Sequence, residues 1–471
     1  MALSGQIISS QEDNRDIIDA GYKPQLHRKI GFFSSFAISF SFMSVLMGVF
    51  SNYGYVLGKA GPFGLWTWLI VCVGQLLVAL IFAEMAGRIP LTGALYNWNN
   101  KLSNNAIAVT VHWLTVFAYA ISGAGIMVAI MGPLQTFLGR SLDMSTLRLI
   151  GVVILIIQLL ISVYGIRLAT YINKLAVVAE IVAIVVIGVA LILSVVLKGE
   201  VHFLLLTTIP SSPIPYWPAF LMCTLLGAWT IFGFETPSDL SEETINVKSI
   251  TPKSIISSVL ASSLLGLFFI FALTVAIPNL SDITTASDPI SAIISSHFGG
   301  IVTEIFLGCV LLAMFATSLI SITLASRLLF AVSRDKHFIA HEKFSKISAR
   351  GVPSYAAWLV ALVEIIIFLT MYNLSALYAS AIVLLFSAYL ITVINFAVGL
   401  KKLPPTKNFS LGKWHWPVVF LAIAWLVVQI TILTVPEEFH LAAMIGAGIL
   451  VFSAIQYNLH NFFTKKSLNK V

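Results

Sequence analysis

Charge is what this sequence has least of. Asp, Glu, Lys and Arg make up 10% of its 471 residues, where soluble proteins carry about a quarter. Hydrophobic residues reach 58% and mean hydropathy is +0.96. That balance excludes a soluble domain or a disordered chain and leaves a polytopic membrane protein. Cysteine is nearly absent. Cys72, Cys223 and Cys309 lie singly in apolar runs, which excludes a disulfide framework or a thiolate metal centre and reads as small buried hydrophobes. No His-Glu-x-x-His, Cys/His set or phosphate-cradling glycine loop occurs, so no enzyme, metal or organic cofactor is expected. The charged rings and filter repeats of a channel are missing too. His112 is a lone membrane histidine and reads as structural. The first 30 residues lack an apolar core with a cleavage site, so the first apolar run is expected to start insertion itself.

What the sequence has is apolar runs of spanning length, where about 20 residues cross the hydrocarbon. They fall at roughly 32–57, 63–87, 106–138, 146–164, 170–197, 216–237, 255–278, 300–330, 355–371, 375–399, 414–434 and 440–459. This predicts an all-α protein with about twelve transmembrane helices between polar tails over 1–30 and 461–471. The third and eighth runs are unusually long, which suits tilt or extension past the bilayer. Lys and Arg set the orientation. With the N-terminus in the cytoplasm, 23 of the 27 fall inside, and only Lys59, Arg140, Arg148 and Lys198 fall outside. Both termini are therefore expected in the cytoplasm of a cell inner or plasma membrane. The same bias accounts for the net charge of +7 without a nucleic-acid partner. Trp66, Trp68, Trp414 and Trp416 sit near span ends, as an interfacial belt requires.

The sixth run stops behaving like a membrane helix partway along. Gly233, Glu235 and Pro237 fall within five residues. Proline costs about 3 kcal/mol in a helix interior, and a central acid costs about 2.5–3.5 kcal/mol on the insertion scale. Together they predict a helix broken at membrane depth, where freed backbone groups line a cavity of the kind in which transporters bind substrate. The first run is punctuated by Ser39, Ser41, Ser44, Gly48 and Ser51. The two unusual runs are five apart, where an inverted repeat of five plus five helices would place them. Five acids lie in or at the edge of spans, and such acids are functional candidates. Glu84 is four residues from Arg88, the spacing of a structural ion pair. Glu304 is near a helix end and solvated, and Glu364 is unassigned. Glu180 is deepest, with no basic residue within one turn, and is either a proton site or a buried hydrogen-bonded acid.

Four blocks carry a resemblance to the amino acid–polyamine–organocation superfamily. They are Ser44-Val45-Leu46-Met47-Gly48-Val49-Phe50; residues 82–96, with Glu84, Pro90, Gly93 and Tyr96; Trp229 through Glu235 with Ser241-Glu242-Glu243-Thr244 and Pro252; and residues 326–335 followed by Pro353. They run in the family's order, and the first block and the Ser241-Glu242-Glu243-Thr244 segment look most like the amino acid/choline branch. The common first-helix Gly-x-Gly pattern is reduced here to Gly48 beside Leu46 and Met47, which bears on how closely a carboxylate approaches this backbone.

The resemblance implies a leucine-transporter-like core over 31–400, with two accessory helices over 401–460. It implies a secondary active transporter moving an amino acid or small zwitterion by alternating access, coupled to protons or exchanging. Main-chain N–H groups from Ser44, Val45, Leu46, Met47 and Gly48 would take the substrate carboxylate. Carbonyls around Ile231 and Phe232 would take its amino group. By similarity Trp229 covers the substrate and Tyr389 gates it. Glu180 aligns with a fifth-helix lysine that replaces sodium in some relatives, so it would bind a proton, or help bind Na⁺ with Thr317, Ser318 and Ser321. Glu235 would sense pH. A choline, polyamine or GABA carrier, or a sensor without transport, are the alternatives. Which substrate is carried, and the oligomeric state, are not readable.

Overall fold

In the computed structural model nearly every apolar run has become helix, and the result is an all-α polytopic membrane protein. The structure describes residues 14–15, 17–19, 21, 23, 28–164, 166–199, 201–209, 215–338, 340–403, 406 and 408–468. Most of the expected N-terminal tail and residues 469–471 of the C-terminal tail lie outside these. Among the described residues, ten helices are long and apolar enough to cross a membrane.

The first run is two helices, α1 (Phe32–Met43) and α2 (Val45–Ala60). Then come α3 (Thr67–Arg88), α4 (Ala94–Leu102), α5 (Asn105–Ala129), α6 (Met131–Phe137), α7 (Met144–Tyr164) and α8 (Ile166–Lys198). The sixth run is three pieces, α9 (Tyr216–Met222), α10 (Thr224–Thr230) and α11 (Thr236–Asp239). After it follow α12 (Val247–Val275), α13 (Pro289–Phe298), α14 (Gly300–Arg334), α15 (Ser354–Thr370), α16 (Leu374–Gly399), α17 (His415–Ile432) and α18 (His440–Leu468). The α5 helix is the most enclosed and packs on α14 and α16, while α3 packs on α12. The last two spans bury least of themselves and lean on α16. A bundle with apolar residues all round its helices sorts this way in lipid, because packing and not water decides which helices are inside.

Polar contacts concentrate on the face that carries the N-terminal segment. Arg28 Nη1 donates to Ser241 O (3.1 Å) and Thr244 O (2.7 Å), and the Lys29 and Ile30 N–H groups donate to Glu243 O. Arg327 pairs with Glu243 at 2.8 Å and Arg334 with Glu242 at 3.1 Å. The chain just past the sixth run is thus tied to the N-terminal segment and to the end of α14. Glu84 pairs with Arg88 at 2.6 Å and also accepts from Leu411 N at 2.8 Å, so it is the structural acid its spacing predicts.

On the same face His337 is wedged between Tyr96 and Asn105. The Tyr96 hydroxyl donates to Asp335 (2.8 Å) and lies 2.9 Å from His337 Nδ1, while Asn105 Nδ2 is 3.2 Å from Nε2. A neutral ring with its proton on Nδ1 satisfies all three contacts, since Nε2 then accepts from Asn105. Burial holds the imidazole below the ordinary histidine range, against the opposing pull of Asp335. A base lowered on folding contributes stability that is full above its unfolded value, about 6.5, and is lost as the pH falls below that value toward the folded one. Thermal unfolding in detergent between pH 7 and 5 should therefore show a steeper loss of Tm in the wild type than in His337→Gln. Equal slopes would remove His337 from this role.

Candidate functional site

Two breaks in the helical backbone meet inside the bundle. At the first, Ser44 adopts a left-handed backbone (φ 36°), uncommon for any residue but Gly, Asn or Asp. It closes α1 and opens α2, where its Oγ accepts from Met47 N at 3.4 Å, a serine N-cap. At the second, α10 ends at Thr230 and α11 starts at Thr236, with Gly233 at φ 74° between them. Pro237 stands in the first turn of α11, where a missing N–H costs nothing. Two glycines let the breaks touch. A Cβ on Gly48 would lie 2.2 Å from Thr230 Oγ1, and one on Gly233 would lie 2.2 Å from the Phe42 ring.

The residues expected to hold substrate are brought together here, but their backbone groups are already engaged. The Glu180 carboxylate reaches in from α8 and accepts from Leu46 N (2.9 Å) and Ser44 Oγ (3.3 Å). It sits at the positive end of α2, and no Lys or Arg pairs with it among the described residues. Its place is the end of α2 where a substrate carboxylate was expected. Ile231 O, expected to meet an amino group, accepts from Gln75 Nε2 at 2.6 Å. Val45, Met47, Gly48 and Phe232 are buried around the same point.

Trp229 is fully buried, with Phe232 at 5.0 Å and Tyr378 stacked on it at 3.7 Å and 18°. The tyrosine stacked on Trp229 is thus Tyr378. Tyr389 lies elsewhere: its hydroxyl accepts from Gly233 N (2.9 Å) and donates to Glu235. Glu235 also accepts from Tyr119 at 2.7 Å, and Tyr119 reaches Asp239 at 3.3 Å. Two carboxyl groups and two phenols therefore form one buried network on the second break.

The Thr317, Ser318 and Ser321 hydroxyls point to three different neighbours. Thr317 Oγ1 is 2.8 Å from Ser41 O, at the first break; Ser318 donates to Gln158 at 3.1 Å, and Ser321 to Glu364 at 2.7 Å. Only Thr317 of the three faces α1. Glu364 is buried between α14, α15 and Gly123 of α5. Glu304 is exposed, and His112 is fully buried, edge-on to Tyr96 and Trp113. Sequence reasoning passed over Tyr378, Tyr119, Gln75 and Asp239. Asp239 had a signal, being one helical turn past Glu235. Tyr378 had one too, lying three turns before Tyr389. Gln75 and Tyr119 had none.

A cavity of about 420 Å³ lies on the side of the N-terminal segment, lined by Ile38, Asn173, Lys174, Leu319 and Thr323 among others.

This arrangement can be set beside known proteins. The profile of the family described as amino acid permease matches residues 30–455. The amino-acid permease BAT1 of Arabidopsis thaliana is 26% identical over 461 residues, covering 90% of this chain and 89% of its own. Amino-acid permease 2 of Neurospora crassa is 24% identical, covering 98% and 90%. The GABA-specific permease of Saccharomyces cerevisiae is 23% identical, covering 96% and 85%.

Proposed function

The chain belongs to the amino acid permease family, and from that premise we propose that this transporter carries an amino acid or similar zwitterion across the cell membrane by alternating access, with a proton as its partner. The observation that carries the reading is the contact between the two breaks, with Glu180 on the open end of α2. The substrate carboxylate and the Glu180 carboxylate want the same N–H groups. A proton on Glu180 releases them, so substrate and proton bind together. The amino group then takes the carbonyls of Ile231 and Phe232, displacing Gln75. Trp229 and Tyr378 close the outer side, and Tyr389 ties Glu235 to the second break. The bias of Lys and Arg favours both termini in the cytoplasm, which makes the cavity beside the N-terminal segment the inner vestibule. Twelve spans, with a five-plus-five core over 31–400 and accessory helices over 401–460, agree with the low burial of the last two.

Exchange without an ion is the second reading, because Glu180 also serves as a fixed cap on α2. Sodium coupling has less support, since Ser318 and Ser321 point away from Thr317. Choline or a polyamine fits less well, for a cation gains nothing from the end of α2.

The test is uptake into proteoliposomes offered labelled amino acids, GABA, choline and putrescine under a proton gradient, a sodium gradient or internal unlabelled substrate. The expected result is accumulation of an amino acid or GABA driven by acid outside. Flux only with internal substrate would establish exchange. Choline or putrescine carried alone would overturn the substrate class, and no flux from folded protein would point to a sensor.

A further inference from the structure

The wall of the cavity beside the N-terminal segment is unbalanced in charge. Lys29, Lys174, Arg327 and Arg350 line it, and Glu243 is the one acid among the described residues that do. Glu243 is already spent on Arg327, at 2.8 Å. Three cations are left. Lys29 and Lys174 pair with no carboxylate among the described residues. Arg350 lies over the Tyr164 ring at 4.9 Å, a contact that does not cancel its charge.

These cations stand where the spans meet the bilayer surface. Lys29 comes just before α1, Arg350 just before α15, and Lys174 about two turns into α8. Tyr164 at the end of α7 and Tyr171 in α8 are exposed, as tyrosines at headgroup level are. The α8 helix borders both the cavity and the lipid. Thr170 and Lys174, one turn apart, line the cavity, while Tyr171 and Leu175, each next in the chain, are exposed. An acyl chain against Tyr171 and Leu175 would bring its headgroup to Lys174. Much of the remaining wall is apolar, with Ile38, Leu240, Leu319 and Leu324.

This combination selects its ligand. A zwitterion would carry an ammonium among three cations with no acid left to receive it, which suits release of substrate and not its retention. A small soluble anion would make no use of the apolar wall. A phospholipid with a net negative charge uses both, and basic pockets between spans on the cytoplasmic side suit such headgroups. Resting on the transporter reading above, which puts this face in the cytoplasm, we propose that the cavity is a binding site for an acidic phospholipid of the inner leaflet. Lys29, Lys174 and Arg350 draw in its phosphate, and the headgroup stands in the exit route, so acidic lipid slows the release of substrate.

The test titrates purified protein in detergent with phosphatidylglycerol or with phosphatidylcholine of the same chains, counting bound lipids by native mass spectrometry. The wild type should hold one phosphatidylglycerol more than about tenfold tighter than phosphatidylcholine. Lys29→Gln, Lys174→Gln and Arg350→Gln should each weaken phosphatidylglycerol about fivefold, the worth of one cation near the surface, and leave phosphatidylcholine unchanged. Lys174→Arg should bind as the wild type does, which separates lost charge from a damaged fold. Lys413, over the Trp414 ring just before α17 and away from this cavity, is the control. Wild-type binding in all three glutamine variants would overturn the proposal. An equal loss in Lys413→Gln would overturn it too, by showing general attraction without a site. Glycerol phosphate displacing the lipid at comparable concentration would assign the cavity to a soluble phosphate instead. In vesicles of known orientation, exit of the labelled amino acid that the wild type carries should slow severalfold when phosphatidylglycerol replaces part of the phosphatidylcholine. Lys174→Gln should remove most of that slowing, and equal slowing in both proteins would count against a headgroup in the exit route. Lipid held by a protein that carries nothing would sink the transporter reading and leave the site standing, and flux without a lipid preference would do the reverse.

Discussion

Replacing Glu180 with glutamine is expected to abolish proton-driven accumulation and leave exchange intact. The amide oxygen of the new side chain keeps the acceptor that Leu46 N uses at 2.9 Å, so the end of α2 stays capped. What is lost is the exchangeable proton. With a neutral substrate, one proton per cycle and no membrane potential, a one-unit pH gradient supports about a tenfold inside-to-outside ratio. The variant should reach a ratio of about one. Exchange of labelled for unlabelled substrate should persist and lose its pH dependence, because no carboxylate then competes for the N–H groups of α2. Glu180→Ala is a worse test. It leaves a buried N–H without a partner, at about 1–3 kcal/mol, and confuses folding with coupling. An unchanged accumulation ratio in Glu180→Gln would reduce Glu180 to a structural cap.

The spans were legible because lipid imposes a simple rule: backbone groups must be satisfied internally, so apolar runs of the right length become helices. The second break was legible for the same reason, since Gly233, Glu235 and Pro237 each oppose a plain membrane helix. The first break was harder. It turns on Ser44, a residue with no intrinsic liking for φ 36°, held there by its own cap on α2 and by Glu180. Only tertiary contact supplies that. The tyrosine that stacks on Trp229 was not legible. Tyr378 and Tyr389 share a face of α16, and helical periodicity reports the face but not the depth. The Thr317, Ser318 and Ser321 set shows another limit. Neighbours on a helix diverge by about 100°, so Thr317 and Ser318 turn to different helices, whatever a resemblance groups together.

Gly48→Ala should stop transport, and the reason is geometric. The added Cβ would sit 2.2 Å from Thr230 Oγ1 and 2.8 Å from Thr230 Cβ. Thr230 is fully buried, and its hydroxyl donates to Leu226 O at 2.7 Å, so it cannot swing aside without leaving that carbonyl. Overpacking of this kind costs about 1–3 kcal/mol. If the strain falls on this closed arrangement, its population drops on the order of ten- to a hundredfold, and the cycle that passes through it slows accordingly. A merely destabilised protein would also lose flux, so the double variant decides. Thr230→Gly removes the facing side chain at roughly a few tenths of a kcal/mol of helix propensity and should keep much of the transport. Gly48→Ala with Thr230→Gly should recover flux that Gly48→Ala alone lacks, a non-additivity expected only of residues in contact. The readouts are exchange rate and Tm of the purified protein, measured together. Wild-type exchange in Gly48→Ala would mean that α2 and α10 never close this tightly during the cycle. Loss without rescue would place the defect in the fold of α2, outside the seat.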